Sequence, residues 1–120
     1  MYYIIAGLGG FLGSITRYTL GKVISKKSNA VFPLGTFLIN VSGAFLLGIA
    51  SNAGLSSNYY ILFGDGFLGA YTTFSTFMYE GFNLFQESKK LNAAAYISLT
   101  VVLGLIFYAL GAYSIKLYLI

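Results

Sequence analysis

Cysteine and histidine are both absent from the 120 residues. Without thiols there is no disulfide framework and no thiolate metal site. Without imidazole, zinc sites, catalytic triads and imidazole proton relays lose their usual residue. Charge is scarce too. Charged residues make up 8% of the chain, where a soluble domain carries about 25%. Seven basic and three acidic side chains are too few to cover a water-facing surface of this size. The three carboxylates, Asp65, Glu80 and Glu87, give no close pair. Asp65 and Glu80 would stand about 22 Å apart along one helix at 1.5 Å per residue. Paired acid/base hydrolysis is therefore unsupported, and an enzyme is the least favoured class.

What is present is apolar. Hydrophobic types reach 58% and aromatics 18%, with a mean hydropathy of +0.79. This composition excludes a soluble globular domain and a disordered chain, leaving an integral membrane protein. The net charge of +4 is not a nucleic-acid signature here, because the lysines gather at short loops and helix ends. The first apolar run has no basic segment before it and leads into more apolar sequence, so a cleavable leader is not expected.

A bilayer-crossing helix needs about 20 mostly apolar residues. Four such spans are expected, over 2–23, 33–51, 59–85 and 91–115, as one transmembrane domain covering 1–120. Pro33 suits the first turn of the second helix, where its missing N–H costs nothing. The runs are longer than the alternating ten-residue strands of a membrane barrel. Alternating spans put loops one and three on the same side. That side holds Lys22, Lys26, Lys27, Lys89 and Lys90, and the other holds only Lys116. The bias is five to one without Arg17, and it places loops one and three in the cytoplasm and both termini outside.

Gly9 and Gly13 form a GxxxG pair that permits close helix contact. Further glycines at 43, 48, 104 and 111 read as packing positions. Four short helices enclose little by themselves, so oligomerisation is expected. The third span is unusual, with Gly64, Gly66 and Gly69 followed by four hydroxyl residues at 72, 73, 75 and 76. Such a sequence suits a helix break at midspan. Freed carbonyls there can coordinate a cation and freed N–H groups can face an anion. A continuous helix with hydroxyls bonded back to its own carbonyls is the other reading. Asn40 is a mid-helix amide, either helix glue or a donor to a passing anion. Arg17 is either a snorkelling cation or an attractor of anions at a vestibule. Phe74 and Phe77 share a helix face at i, i+3, with Tyr71 one turn before Phe74. Aromatic ring edges are positive and can face an anion, although packing alone also explains an isolated FxxF pair.

These residues resemble the Fluc/CrcB fluoride channels in three places. Residues 9–18 resemble the family's GGxxGxxxRY opening. Residues 32–43 resemble its second-helix motif, with Pro33, Gly35, Thr36, Asn40 and Gly43 in place. Residues 66–80 resemble its third-helix signature GxxGxxTTFSTFxxE. The motifs fall in the family's order and, with the four spans, cover nearly the whole chain.

The resemblance implies a passive, fluoride-selective channel that exports fluoride from the cytoplasm and so protects the cell from it. It implies an all-α membrane protein of four transmembrane helices, the third broken near midspan, in an antiparallel dimer with two pores. A bacterial plasma membrane is the implied location. Phe74 and Phe77 would be the pore phenylalanines and Asn40 the pore amide. Ser75 and Thr76, with Tyr96 and Thr100 of the fourth helix, would complete the fluoride path, Ser98 competing for the fourth-helix place. Arg17 and Glu80 would lie at the vestibules. Backbone carbonyls of Gly69 and Thr72 would hold a central structural Na+. The lysine bias adds that this chain inserts one way and pairs with an oppositely oriented paralogue, although intact motifs leave a homodimer open. Two rivals remain. A four-helix multidrug or cation transporter has similar size but needs an intramembrane carboxylate, and the first helix has none. A non-conducting assembly subunit explains the glycines but not Asn40, the hydroxyl block and FxxF together.

Overall fold

The structure, a computed structural model, describes residues 2–27, 34–72, 74–86 and 89–119. Pro33 and the side chains of residues 73–76 lie outside the described residues. The described chain is helical: α1 (Tyr2–Lys27), α2 (Leu34–Asn52), α3 (Ser57–Tyr60), a π-helical segment (Ile61–Leu68), α4 (Gly69–Tyr71), α5 (Phe74–Gln86) and α6 (Lys90–Leu119). In lipid only helices or closed barrels satisfy every backbone group, so the aromatic and β-branched content does not oppose helix. Among the described residues, α2 and α6 are by themselves long and apolar enough to cross a membrane.

α1 continues through Lys27 and α6 through Leu119, beyond the positions 23 and 115 expected from the sequence. Lysine is a good helix former, so a charge ends the apolar run without ending the helix. Lys116 in the last turn of α6 also complements the negative end of the helix dipole. α2 ends at a turn where Gly54 takes φ +71°, a conformation that suits glycine just past a helix terminus.

Backbone contacts set the helix directions. Gly9 of α1 lies against the Leu62 carbonyl and Gly13 against that of Phe67, where a Cβ would collide. α1 therefore runs parallel to the π segment, with the GxxxG pair as the seam. Gly48 abuts the Tyr108 carbonyl and Gly111 the Phe45 carbonyl, and Phe37 packs on the Phe77–Tyr96 cluster. α2 and α6 thus run parallel. α2 opposes the third segment, with Gly43 on Thr72 and Thr36 on Glu80. α5 and α6 form a hairpin in which Phe77 meets Tyr96 and Lys90 meets Phe85. The C-terminal end of α1 and the α5–α6 turn consequently share one end of the molecule.

The chain measures 47 × 32 × 22 Å. The long dimension matches the 30 residues of α6, about 45 Å of helix. Inside and outside are reversed relative to a soluble protein. The buried face of α6 carries Ala93, Tyr96, Thr100 and Gly111, while Leu99, Val101, Val102 and Leu105 point outward. Lipid tails are as apolar as leucine, so small and polar residues mark the packed face instead.

Candidate functional site: a polar line beside a helix break

The third segment is interrupted at Thr72. α4 ends at Tyr71, Thr72 is extended at φ −79° and ψ 156°, and α5 begins at Phe74. The Thr72 N–H and hydroxyl both donate to the Leu68 carbonyl, each at 3.0 Å. The hydroxyl back-bond and the break, opposed as alternatives on sequence grounds, thus occur at one residue. A helix end leaves its last carbonyls without intrahelical donors. The π segment preceding the break has its i→i−5 bonding visible in Gly69 N–H to the Gly64 carbonyl. Such segments are uncommon and recur at functional sites.

The helix that carries Tyr71 ends at the extended Thr72, before α5 begins at Phe74. Tyr71 stacks on Phe67, centroids 5.9 Å apart, and its hydroxyl hydrogen-bonds Ser42 Oγ at 2.9 Å.

A cavity of about 440 Å³ opens beside the break. Its lining includes Asn40 and Gly43 from α2, Asp65 and Gly64 from the π segment, and Gly69 and Thr72. The structure thus brings Asn40, Gly69 and Thr72 to one space. The oxygen donors there suit a hard cation. Among the described residues, no group of three or more carboxylate, histidine or cysteine side chains could hold a metal; the lining residues that carry a side-chain oxygen are Asn40, Tyr60, Asp65 and Thr72.

A second group lies along the same face of α2. Thr36, Asn40 and Gly43 are spaced i, i+4, i+7 and share that face. Thr36 Oγ1 donates to Glu80 Oε1 of α5 at 2.5 Å. Next to them Phe77 and Tyr96 are buried, with ring centroids 5.2 Å apart and planes tilted by 53°. Thr100, one turn along α6 and buried, donates its proton to the Tyr96 carbonyl at 2.6 Å. Ser98 is exposed on the other side of α6. Phe74 begins α5, and its side chain, with those of Ser75 and Thr76, lies outside the described residues. Arg17 is half-buried on α1 and is not brought to Glu80, which sits between α2 and α5.

Thr36 stands in the second-helix motif without a role assigned to it there, and the Ser42–Tyr71 bond has no signal in the sequence. For Thr36 the available signal is its position one turn before Asn40 on the same face. The arrangement offers amide and hydroxyl groups, ring edges and a helix break, and it places one carboxylate under the hold of a hydroxyl. That chemistry handles an ion in transit and lacks a nucleophile–base pair.

Comparison with known proteins agrees. The family model described as CrcB-like protein, Camphor Resistance (CrcB), matches residues 4–112. A protein of Clostridium acetobutylicum named fluoride-specific ion channel FluC 2 is 52% identical over 117 residues, covering 98% of this chain and all of the relative. A FluC 2 of Bacillus cereus is 40% identical over 111 residues, 92% of this chain and 94% of its own. A FluC 1 of Carboxydothermus hydrogenoformans is 40% identical over 108 residues, 90% of this chain and 88% of its own. Family, helix break and polar line together identify this chain as a member of the CrcB/Fluc family, which is a family of ion channels and not of enzymes.

Proposed function

We propose that the chain is a passive, fluoride-selective channel of the bacterial plasma membrane that lets fluoride leave the cytoplasm. The observation that carries this is the polar line of Thr36 and Asn40 on α2, set between the broken segment and the Phe77–Tyr96 pair. It stands in a chain 52% identical to a named fluoride channel. Fluoride is small and strongly hydrated, so fixed donors must replace its water along the path. The Asn40 amide, the hydroxyls of Ser75, Thr76, Tyr96 and Thr100, and the ring edges of Phe74 and Phe77 are the groups proposed to do so. Thr100 would have to swing its proton from the Tyr96 carbonyl to donate.

In this reading the chain crosses the membrane four times and works as an antiparallel dimer with two pores. One protomer cannot close the cavity at Thr72, whose lining residues Asp65 and Gly69 are exposed. A second copy, or an inverted paralogue, would cover it. Carbonyls of Gly69 and Thr72 from both subunits would surround a structural Na+. Arg17 and Glu80 would then act near the vestibules, Arg17 by attracting anions.

Fluoride efflux from liposomes holding the purified chain, with chloride as control ion, tests the reading. Fluoride release without chloride release is expected. Release of both ions at similar rates would refute selectivity. Uptake of an organic cation driven by a pH gradient would transfer support to the transporter alternative.

A further inference from the structure

We propose that the groove between α5 and α6 seats one acyl chain of an anionic phospholipid, with the lipid phosphate at Lys89 and Lys90. The groove has a volume of about 410 Å³ and shares no lining residue with the cavity at the break. Gly81 on α5 and Ala94 on α6 leave it open, and Phe82, Phe85 and Ile97 wall it. Phe82 and Phe85 are more than half exposed in this chain. Its floor includes Ala93, which is buried with Phe77, Leu84 and Tyr96.

Direction and polarity select the occupant. α5 and α6 are antiparallel, so the groove follows the helix axes. From Lys90 to Ile97 it extends about 10 Å along α6. One end holds Lys90, whose Nζ stands 5.4 Å from the Phe85 ring centroid, and the rest of the lining is apolar. An elongated apolar slot with a cation at one end matches an amphiphile with one anionic head. Free phosphate would leave the slot empty. A partner helix would need a contact longer than two turns and no lysine in its seam.

The charge around the slot agrees. Lys22 and Lys26 are exposed near the C-terminal end of α1, at the same end of the molecule as Lys90. The cytoplasmic leaflet is anionic, and basic groups at the membrane edge are drawn to it. The positive-inside rule places this same end there. A tail in the slot would lie directly behind the Phe77–Tyr96 pair, since a Cβ at Gly81 would come within 3.3 Å of Ile97 and 3.8 Å of Tyr96.

The test is native mass spectrometry of the purified full chain offered equimolar phosphatidylglycerol and phosphatidylcholine with identical tails. The wild type is expected to retain phosphatidylglycerol preferentially. Lys89→Gln with Lys90→Gln should reduce that preference, by about fivefold for each lysine. Ala94→Phe should reduce retention of both lipids by filling the slot. Equal retention of the two lipids by the wild type would overturn the proposal. So would a preference unchanged in the lysine variant. The natural absence of cysteine permits a third measurement: Phe82→Cys should not form a disulfide-linked pair in bilayers under oxidant, and efficient pairing would show that a second copy covers the groove. Elution of each variant as a single species in size-exclusion chromatography confirms folding, and fluoride efflux is measured on the same preparations. Retention of phosphatidylglycerol by a chain that passes no fluoride would leave the groove standing and would point either to an absent inverted partner or to failure of the channel reading.

Discussion

Phe77 is 6% exposed and lies tilted on Tyr96, so its ring fills the α5–α6 seam and, in the proposed channel, would also present an edge to the anion. Isoleucine keeps apolar volume and removes the edge. Phe77→Ile should therefore leave assembly intact while fluoride efflux falls about 100-fold or more, roughly 2.7 kcal/mol at the rate-limiting barrier. Efflux at the wild-type rate would end the pore assignment. Thr36 offers a finer test. A carboxylate beside an anion path repels the anion unless donors hold its oxygens, and Thr36 supplies one to Glu80. A hydrogen bond to a charged group contributes about 1.5–3 kcal/mol. Thr36→Val should lower fluoride flux by tenfold or more, and Thr36→Ser should restore most of it. Equal flux from both variants would show that the hydroxyl holds nothing of consequence. The motif made Asn40 and Phe77 visible in the sequence, because each is unusual where it stands. Thr36 belongs to the same motif, but its bond to Glu80 was not legible because it is a tertiary contact across 44 positions of sequence.

Helices follow from apolar run length, and the interruption at Thr72 follows from glycine and hydroxyl residues crowded at midspan. The π segment over Ile61–Leu68 had no such signal. A change from i−4 to i−5 bonding alters neither hydropathy nor composition. It also rotates the face that Gly64, Asp65 and Gly69 present to the cavity, which residue spacing alone would misplace. The glycines carry the packing in an uneven way. Gly48 meets the Tyr108 carbonyl, whereas a Cβ at Gly104 would have nothing within 4 Å. Gly48→Ala should therefore destabilise the α2–α6 seam by about 1–3 kcal/mol. Gly104→Ala should be neutral or gain up to about 1 kcal/mol from helix propensity. Unfolding of the purified variants in a denaturing detergent titration would compare them. Equal stability of the two would mean that the close backbone approach is not what holds α2 on α6.

One chain leaves bulky apolar residues exposed on α1, α5 and α6, among them Phe11 at 64% and Leu105 at 68%. In water that would be an aggregation surface; in a bilayer it can face lipid, and in the proposed dimer part of it would face a partner. Composition made the membrane setting legible, but which apolar face meets which neighbour is a property of the assembly and was not. Lysine placement supplies one constraint. The α1 end and the α5–α6 turn lie together, so five of the six lysines lie at one end, as the alternation of spans requires. A chain so biased should insert in one orientation. If the chain works as the proposed antiparallel pair, two identical copies would need both orientations, and the bias would favour an inverted paralogue as partner in cells. Reporters fused to the C-terminus should accordingly give signal from the outer side alone when the chain is expressed by itself. Neutralising Lys22, Lys26 and Lys90 together should spread the signal to both sides. Equal signal from both sides in the unaltered chain would refute fixed insertion. The homodimer would then suffice, because each orientation of this one sequence would supply the inverted partner of the other.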